Sequence, residues 1–204
     1  TVFPSLTQTF DLPSSIDVSF QYYRLVVERV VTEDSRSGQV SAQLAAVSLS
    51  ALETLYRPYP PVALASTLWY YVSGQSYANG YFYVTSSTVS SAANSPHLAF
   101  DLSSTTYFES ADAYSSVDGS YTGTVESTYN SGDSYFGEYI DMEMPCKLVL
   151  VQLSITPHSD YTFTAPTVWV LLGSNDGATF TIVVESTIDW SSAETVAISV
   201  TSAA

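Results

Sequence analysis

Residues 165–180 read APTVWVLLGSNDGATF, and this stretch decides the fold. Thr167–Leu172 is apolar on both faces, as a strand covered on both sides must be. Gly173-Ser174-Asn175-Asp176-Gly177 follows with residue types that tolerate positive φ, and Phe180–Val184 resumes the apolar pattern. That is a β-hairpin. Working outward, Leu148–Thr156 places Val149, Val151, Leu153 and Ile155 on a single face. Gly137–Met144 alternates, with Ile140, Met142 and Met144 facing one way and Tyr139, Asp141 and Glu143 the other, and Pro145 is expected to stop it. Gly80–Thr85 is a short aromatic-rich strand. Tyr22–Val31 sets Tyr23, Leu25 and Val27 against Arg24 and Glu28, and Gln39–Leu49 reads as the other arm of an antiparallel pair across the charged turn 33–38. A last strand spans Thr195–Val200. Residues 50–56 suit a short helical turn, and Arg57-Pro58-Tyr59-Pro60-Pro61 a stiff connector without regular pairing. No segment keeps a helical period. Many short strands between Ser/Gly/Asn loops predict an all-β, antiparallel sandwich or jelly roll.

Composition agrees. The 204 residues include 34 Ser, 22 Thr and 16 Tyr, while charged residues are only 12%. These types favour strands and turns over helices. Five basic residues against twenty acids give a net charge of −15. Phosphate recognition needs Lys and Arg, so nucleic acid is excluded as a partner, and anionic membrane surfaces are disfavoured. No run has the length of a membrane span, so no membrane insertion is expected. The imbalance is concentrated: residues 1–57 hold four Arg and six acids, residues 58–204 one Lys and fourteen acids. Cys146 is the single cysteine, which leaves no internal disulfide and no thiolate cluster.

Catalytic chemistry has a thin inventory. His97 and His158 both fall in Pro-containing turns and read as solvated loop residues. No Gly-x-Ser-x-Gly elbow occurs. Asp141 and Glu143 share a strand face, but the opposite face is the core side, so both acids look into water. We expect no enzyme. Loop oxygens at Asp101, Asp112, Asp118 and Asp133 suit calcium in type, without a fixed ligand spacing. Exposed aromatics carry more promise. Tyr114, Tyr121 and Tyr135 lie among small polar residues in 107–139, where flat rings beside hydroxyl acceptors suit neutral sugars or a protein surface.

The order of motifs resembles that of discoidin (coagulation-factor type C) domains. Leu98–Phe108 resembles the family's "A-F-D-G…S/T-T-x-W", and Gly137–Pro145 its "G-E-W-I-Q-L-Q-L-P". Residues 165–180 resemble "P-x-x-W-x-L-x-G-S-N-D-G-x-T-W", and Asp189-Trp190 the turn after it. Leu102 stands at the signature Gly and Phe108 at the signature Trp. The disulfide-free, Ser/Thr/Tyr-rich variety is similar to structural proteins of large DNA viruses of algae and protists. The resemblance implies a jelly-roll barrel that binds glycans, lipids or proteins with loops at one end. It also implies a Ca²⁺ site at Asp101 and Thr106 in sugar-binding members. The family's completing Glu is Ala46 here, so no cofactor is expected.

Phe20–Val27 and Gln43–Glu53 resemble the family's last two strands, yet here they precede the domain. The resemblance therefore divides the chain into 1–57, last strands of one unit plus a Pro-rich connector, and 58–204, a jelly roll lacking its final strands. The chain is cut out of phase with its repeat. Thr9–Ser15 also repeats the register of Thr195–Thr201. From this, Tyr22, Tyr23, Leu25, Val27, Leu44, Val47 and Leu49 are expected to complete a neighbouring unit rather than their own. The function expected first is a structural or assembly protein of a virion surface or extracellular fibre, whose partners are other copies or repeats. The alternative is a glycan-binding module for attachment to a cell surface.

Overall fold

Trp169, wholly buried, anchors the middle of the molecule. It belongs to β15 (Pro166–Ser174), whose apolar residues on both faces demand cover on both sides. In the computed structural model, which describes residues 7–12, 18–32, 39–52, 56–66, 69–111, 113–130, 132–158, 164–188, 190 and 195–197, that cover has two sources. A second sheet packs on the inner face, and a small hairpin lies on part of the outer face.

The first sheet has six strands in the order β16 (Phe180–Thr187), β15, β2 (Phe20–Val30), β13 (Glu138–Leu148), β8 (Gly80–Ser86) and β7 (Tyr70–Val72). All its described pairings are antiparallel. The second has five: β17 (Thr195–Ala197), β1 (Gln8–Asp11), β14 (Leu150–Thr156), β5 (Ala46–Leu52) and β6 (Tyr56–Tyr59). Between the two lies one apolar core, in which Phe10 meets Trp169 edge to face at 4.9 Å. The protein is an all-β sandwich, and its described strands form no closed barrel. Short pairs join its ends: β3 (Gln39–Val40) with β10 (Tyr114–Ser115), and β4 (Gln43–Leu44) with β9 (Phe108–Glu109). The described helical structure is two 3₁₀ turns, Ala92–Asn94 and Pro96–Phe100.

Several expectations hold. The β15–β16 hairpin forms, with Gly177 at φ +72° and a Gly173 whose missing Cβ leaves room for the Phe20 ring. Asp176 accepts hydrogen bonds from Ser174 Oγ and the backbone N–H of Ala178 and Thr179, which hold its carboxyl well below the usual range. Ile140, Met142 and Met144 face the core as the alternation requires.

The pairing of the N-terminal strands does not. β2 lies between β13 and β15 of its own chain, with Leu25 opposite both Ile140 and Leu171. Tyr23, Leu25, Val27, Leu44, Val47 and Leu49 are all buried within the chain itself, so they complete their own sandwich and not a neighbour's. The expectation failed because an exposed edge between β13 and β15 is filled most cheaply by a strand already tethered nearby. Nor do 22–31 and 39–49 form a hairpin: β5 pairs with β14 and β6 in the opposite sheet. Tyr56–Tyr59 is no unpaired connector but an edge strand, where Pro58 needs no partner for its missing N–H. Residues 53–55 of the expected helical turn lie outside the described residues, and 50–52 are strand. Pro145 bends β13 without ending it, at a register shift between Glu143 and Leu148. A second shift between Leu150 and Gln152 turns Leu150 inward and leaves Val149 and Val151 half-buried. The turn 33–38 and residues 198–200 lie outside the described residues.

Candidate functional site

The expected binding tyrosines are structural. Tyr114 is wholly buried: its hydroxyl donates to Val27 O at 2.8 Å and accepts from Glu138 N at 3.1 Å. Burial pushes its pKa far up, and it offers no ring face to a sugar. Tyr121 packs on Tyr114, with centroids 5.3 Å apart. Its hydroxyl donates to Glu138 Oε1 and accepts from Val125 N, and burial raises its pKa to about 12. Glu138 is itself buried and also accepts from Ser87 and Thr88, so this cluster ties the end of β13 to two loops.

Tyr135 sits on the hairpin of β11 (Glu126–Thr128) and β12 (Ser134–Phe136). It stacks on Tyr129 at 5.0 Å, and both pack on Val26, Val170, Leu172 and Phe180. This hairpin is the outer cover that β15 requires. Beside it Arg24 forms a two-point ion pair with Asp141, both contacts 2.7 Å, and lies 3.8 Å from the Tyr139 ring centroid and 4.2 Å from that of Phe180. Asp141 therefore faces an arginine and not open water. Burial raises its pKa, and the Arg24 hydrogen bonds pull it back.

Asp101 and Thr106 do meet. Thr106 Oγ1 donates to Asp101 Oδ2 at 2.5 Å, and Ser103 N to Oδ1 at 2.9 Å. Calcium wants six to eight oxygens. Here both carboxylate oxygens already hold donors, and among the described residues no three acids, histidines or cysteines cluster. These residues do not fit the ion. Leu102, at the signature Gly, has φ +60°, the left-handed region glycine enters freely. Asp118 caps its own turn through Ser120, which lowers its pKa to about 2. Asp112 lies outside the described residues. His158 is buried, its ring 4.3 Å from Tyr107, rather than solvated. His97 lies in the Pro96–Phe100 turn, where burial lowers its pKa against the pull of Asp101.

The assembly residues sit as described above. Tyr22 alone of them faces outward, opposite Glu143 on β13.

A different aromatic group is exposed. Trp69, Tyr71 and Tyr81 are 54%, 58% and 54% exposed at the β7–β8 edge of the six-stranded sheet. Tyr71 is opposite Tyr81 in the register, with centroids 4.8 Å apart. Trp69 stacks on Tyr83 at 4.9 Å and meets Tyr81 edge-on at 6.0 Å. The alternation in Trp69-Tyr70-Tyr71-Val72 and Tyr81-Phe82-Tyr83-Val84 was the available signal. Val72, Phe82 and Val84 face the core, so the rings between them must face out.

No protein-family model matches the chain, and a search of curated proteins finds none similar to it. Among the described residues no helix is long and apolar enough to cross a membrane.

Proposed function

We propose that the protein is a non-enzymatic structural module of an extracellular or virion surface, whose copies join through the edge of the five-stranded sheet. One observation carries this reading: the two segments with repeated sequence register lie side by side. β1 runs antiparallel to β14, and β17 lies parallel to β1 with Thr9 opposite Thr195, Phe10 opposite Val196 and Asp11 opposite Ala197. β17 thus repeats the kind of strand that, in β1, takes a neighbour on both flanks, yet its own outer flank is unpaired among the described residues, as is that of β6 at the other end of the sheet. A β6 edge added there from another copy leaves that copy's own β17 edge open to the next. Such a head-to-tail contact repeats from copy to copy, and it generates fibres or arrays where the rotation between copies does not close a ring. Resemblance to discoidin-like repeats of viral structural proteins supports the same reading.

Light scattering after size exclusion, across a concentration series, tests it. The wild-type chain is expected to associate progressively and to form linear particles in negative-stain micrographs. Val196→Pro removes a ladder donor from the edge strand and is expected to leave monomers. Dispersed wild-type monomers at the highest concentration reached would refute the proposal.

A further inference from the structure

We infer that the outward face of the β7–β8 hairpin is a binding site for a neutral polysaccharide, with Trp69, Tyr71 and Tyr81 as stacking platforms. It lies on the other sheet from the β1–β17 edge, and it does not depend on association of copies. Cross-strand aromatic pairs stabilise an edge hairpin, which accounts for the ring-to-ring contacts. It does not account for three large rings left more than half exposed together, because structural pairing is served as well by Thr or Val. Elsewhere on this sheet the described aromatic residues are buried or half-buried. A contiguous exposed apolar patch with a polar rim marks an interaction surface.

The chemistry around the rings selects the ligand. The connecting turn holds Ser73, Gln75 and Ser76, all exposed, which supply hydroxyl and amide groups at the rim, while the Asn79 amide closes the turn on the Gln75 backbone. At the inner end Glu143 lies opposite Tyr83 in the register, and opposite Tyr22 on its other side. A pyranose presents just these two needs: an apolar C–H face for a ring, and a hydroxyl rim for amides and carboxylates. The net charge of −15 opposes uronic acids, sulfated glycans and anionic lipid headgroups. A second copy fits less well, since β7 has only three residues of backbone edge to offer a partner strand. Several rings in succession suit a chain of sugars more than a single one.

Affinity electrophoresis through gels containing galactomannan, xyloglucan or a mixed-linkage β-glucan, with pull-down on cellulose and chitin, tests the site; alginate serves as the anionic arm. Retention by at least one neutral polymer and none by alginate is expected. Trp69→Ala and Tyr71→Ala are each expected to weaken retention by about tenfold, with the circular dichroism spectrum unchanged. Intrinsic fluorescence gives a second readout, because Trp169 and Trp190 are buried and Trp69 is exposed. A ligand that stacks there is expected to shift the wild-type spectrum and leave that of Trp69→Phe/Tyr71→Ala unmoved. No retention on the whole neutral panel would overturn the inference. So would retention that both alanine variants keep, or loss of self-association in those variants, which would make the patch a contact between copies.

Discussion

The outer face of the six-stranded sheet has two halves built from similar residues and treated in opposite ways. At the β15–β2 side, Val26, Val170, Leu172 and Phe180 disappear beneath Tyr129, Tyr135 and Tyr139. At the β8–β7 side, Trp69, Tyr71 and Tyr81 stand in water. The difference is not composition but the β11–β12 hairpin, which reaches only the first half. Aromatic content alone therefore says little about binding; what matters is whether the fold spends its own chain on covering the rings.

The largest expected effect comes from breaking the covered half at Arg24. Arg24→Met strips Asp141 of its two-point partner and removes the cation from between two rings, and should cost about 2–3 kcal/mol in urea unfolding at neutral pH. The pH dependence has a definite sign. Burial raises the Asp141 carboxyl, so without Arg24 the folded state binds a proton more readily than the unfolded one. Stability of the variant should then rise as pH falls from neutral towards the unfolded carboxylate value near 4, while Arg24→Met/Asp141→Asn should not show that rise.

Tyr135→Ala uncovers the same half more gently, with a loss of roughly 1–2 kcal/mol and increased binding of a hydrophobic dye. On the bare half the outcome reverses. Tyr71→Ala should leave stability within about 0.5 kcal/mol of wild type while retention on neutral polysaccharide falls. A stability loss as large as that of Tyr135→Ala would erase the distinction between the halves. Leu102→Gly sharpens it as a control: Leu102 is 59% exposed but isolated from the patch, and its φ of +60° is strained for any residue with a Cβ. The substitution should stabilise by up to about 1 kcal/mol, measured by thermal melting, and leave polysaccharide retention unchanged.

The all-β sandwich was legible in the residues themselves. Period-2 alternation in Gly137–Met144 and Gly80–Thr85, the two-faced apolar run in Thr167–Leu172 and the Gly/Asn/Asp turn after it depend on local geometry, which any strand must obey. Local pattern also holds the information that Trp69, Tyr71 and Tyr81 point away from Val72 and Phe82. What a pattern cannot contain is the identity of a partner across space. Tyr22–Val31 carries the same alternation whether it completes its own sheet or another's, and only the closed register with β13 and β15 decides between them. The same holds for Tyr114 and Tyr71. Both are tyrosines on short strands, but one hydroxyl finds Val27 O inside the protein while no described segment is folded over the other ring. Alternation assigns a side chain to a face; burial of that face depends on which distant segment the tertiary structure lays against it.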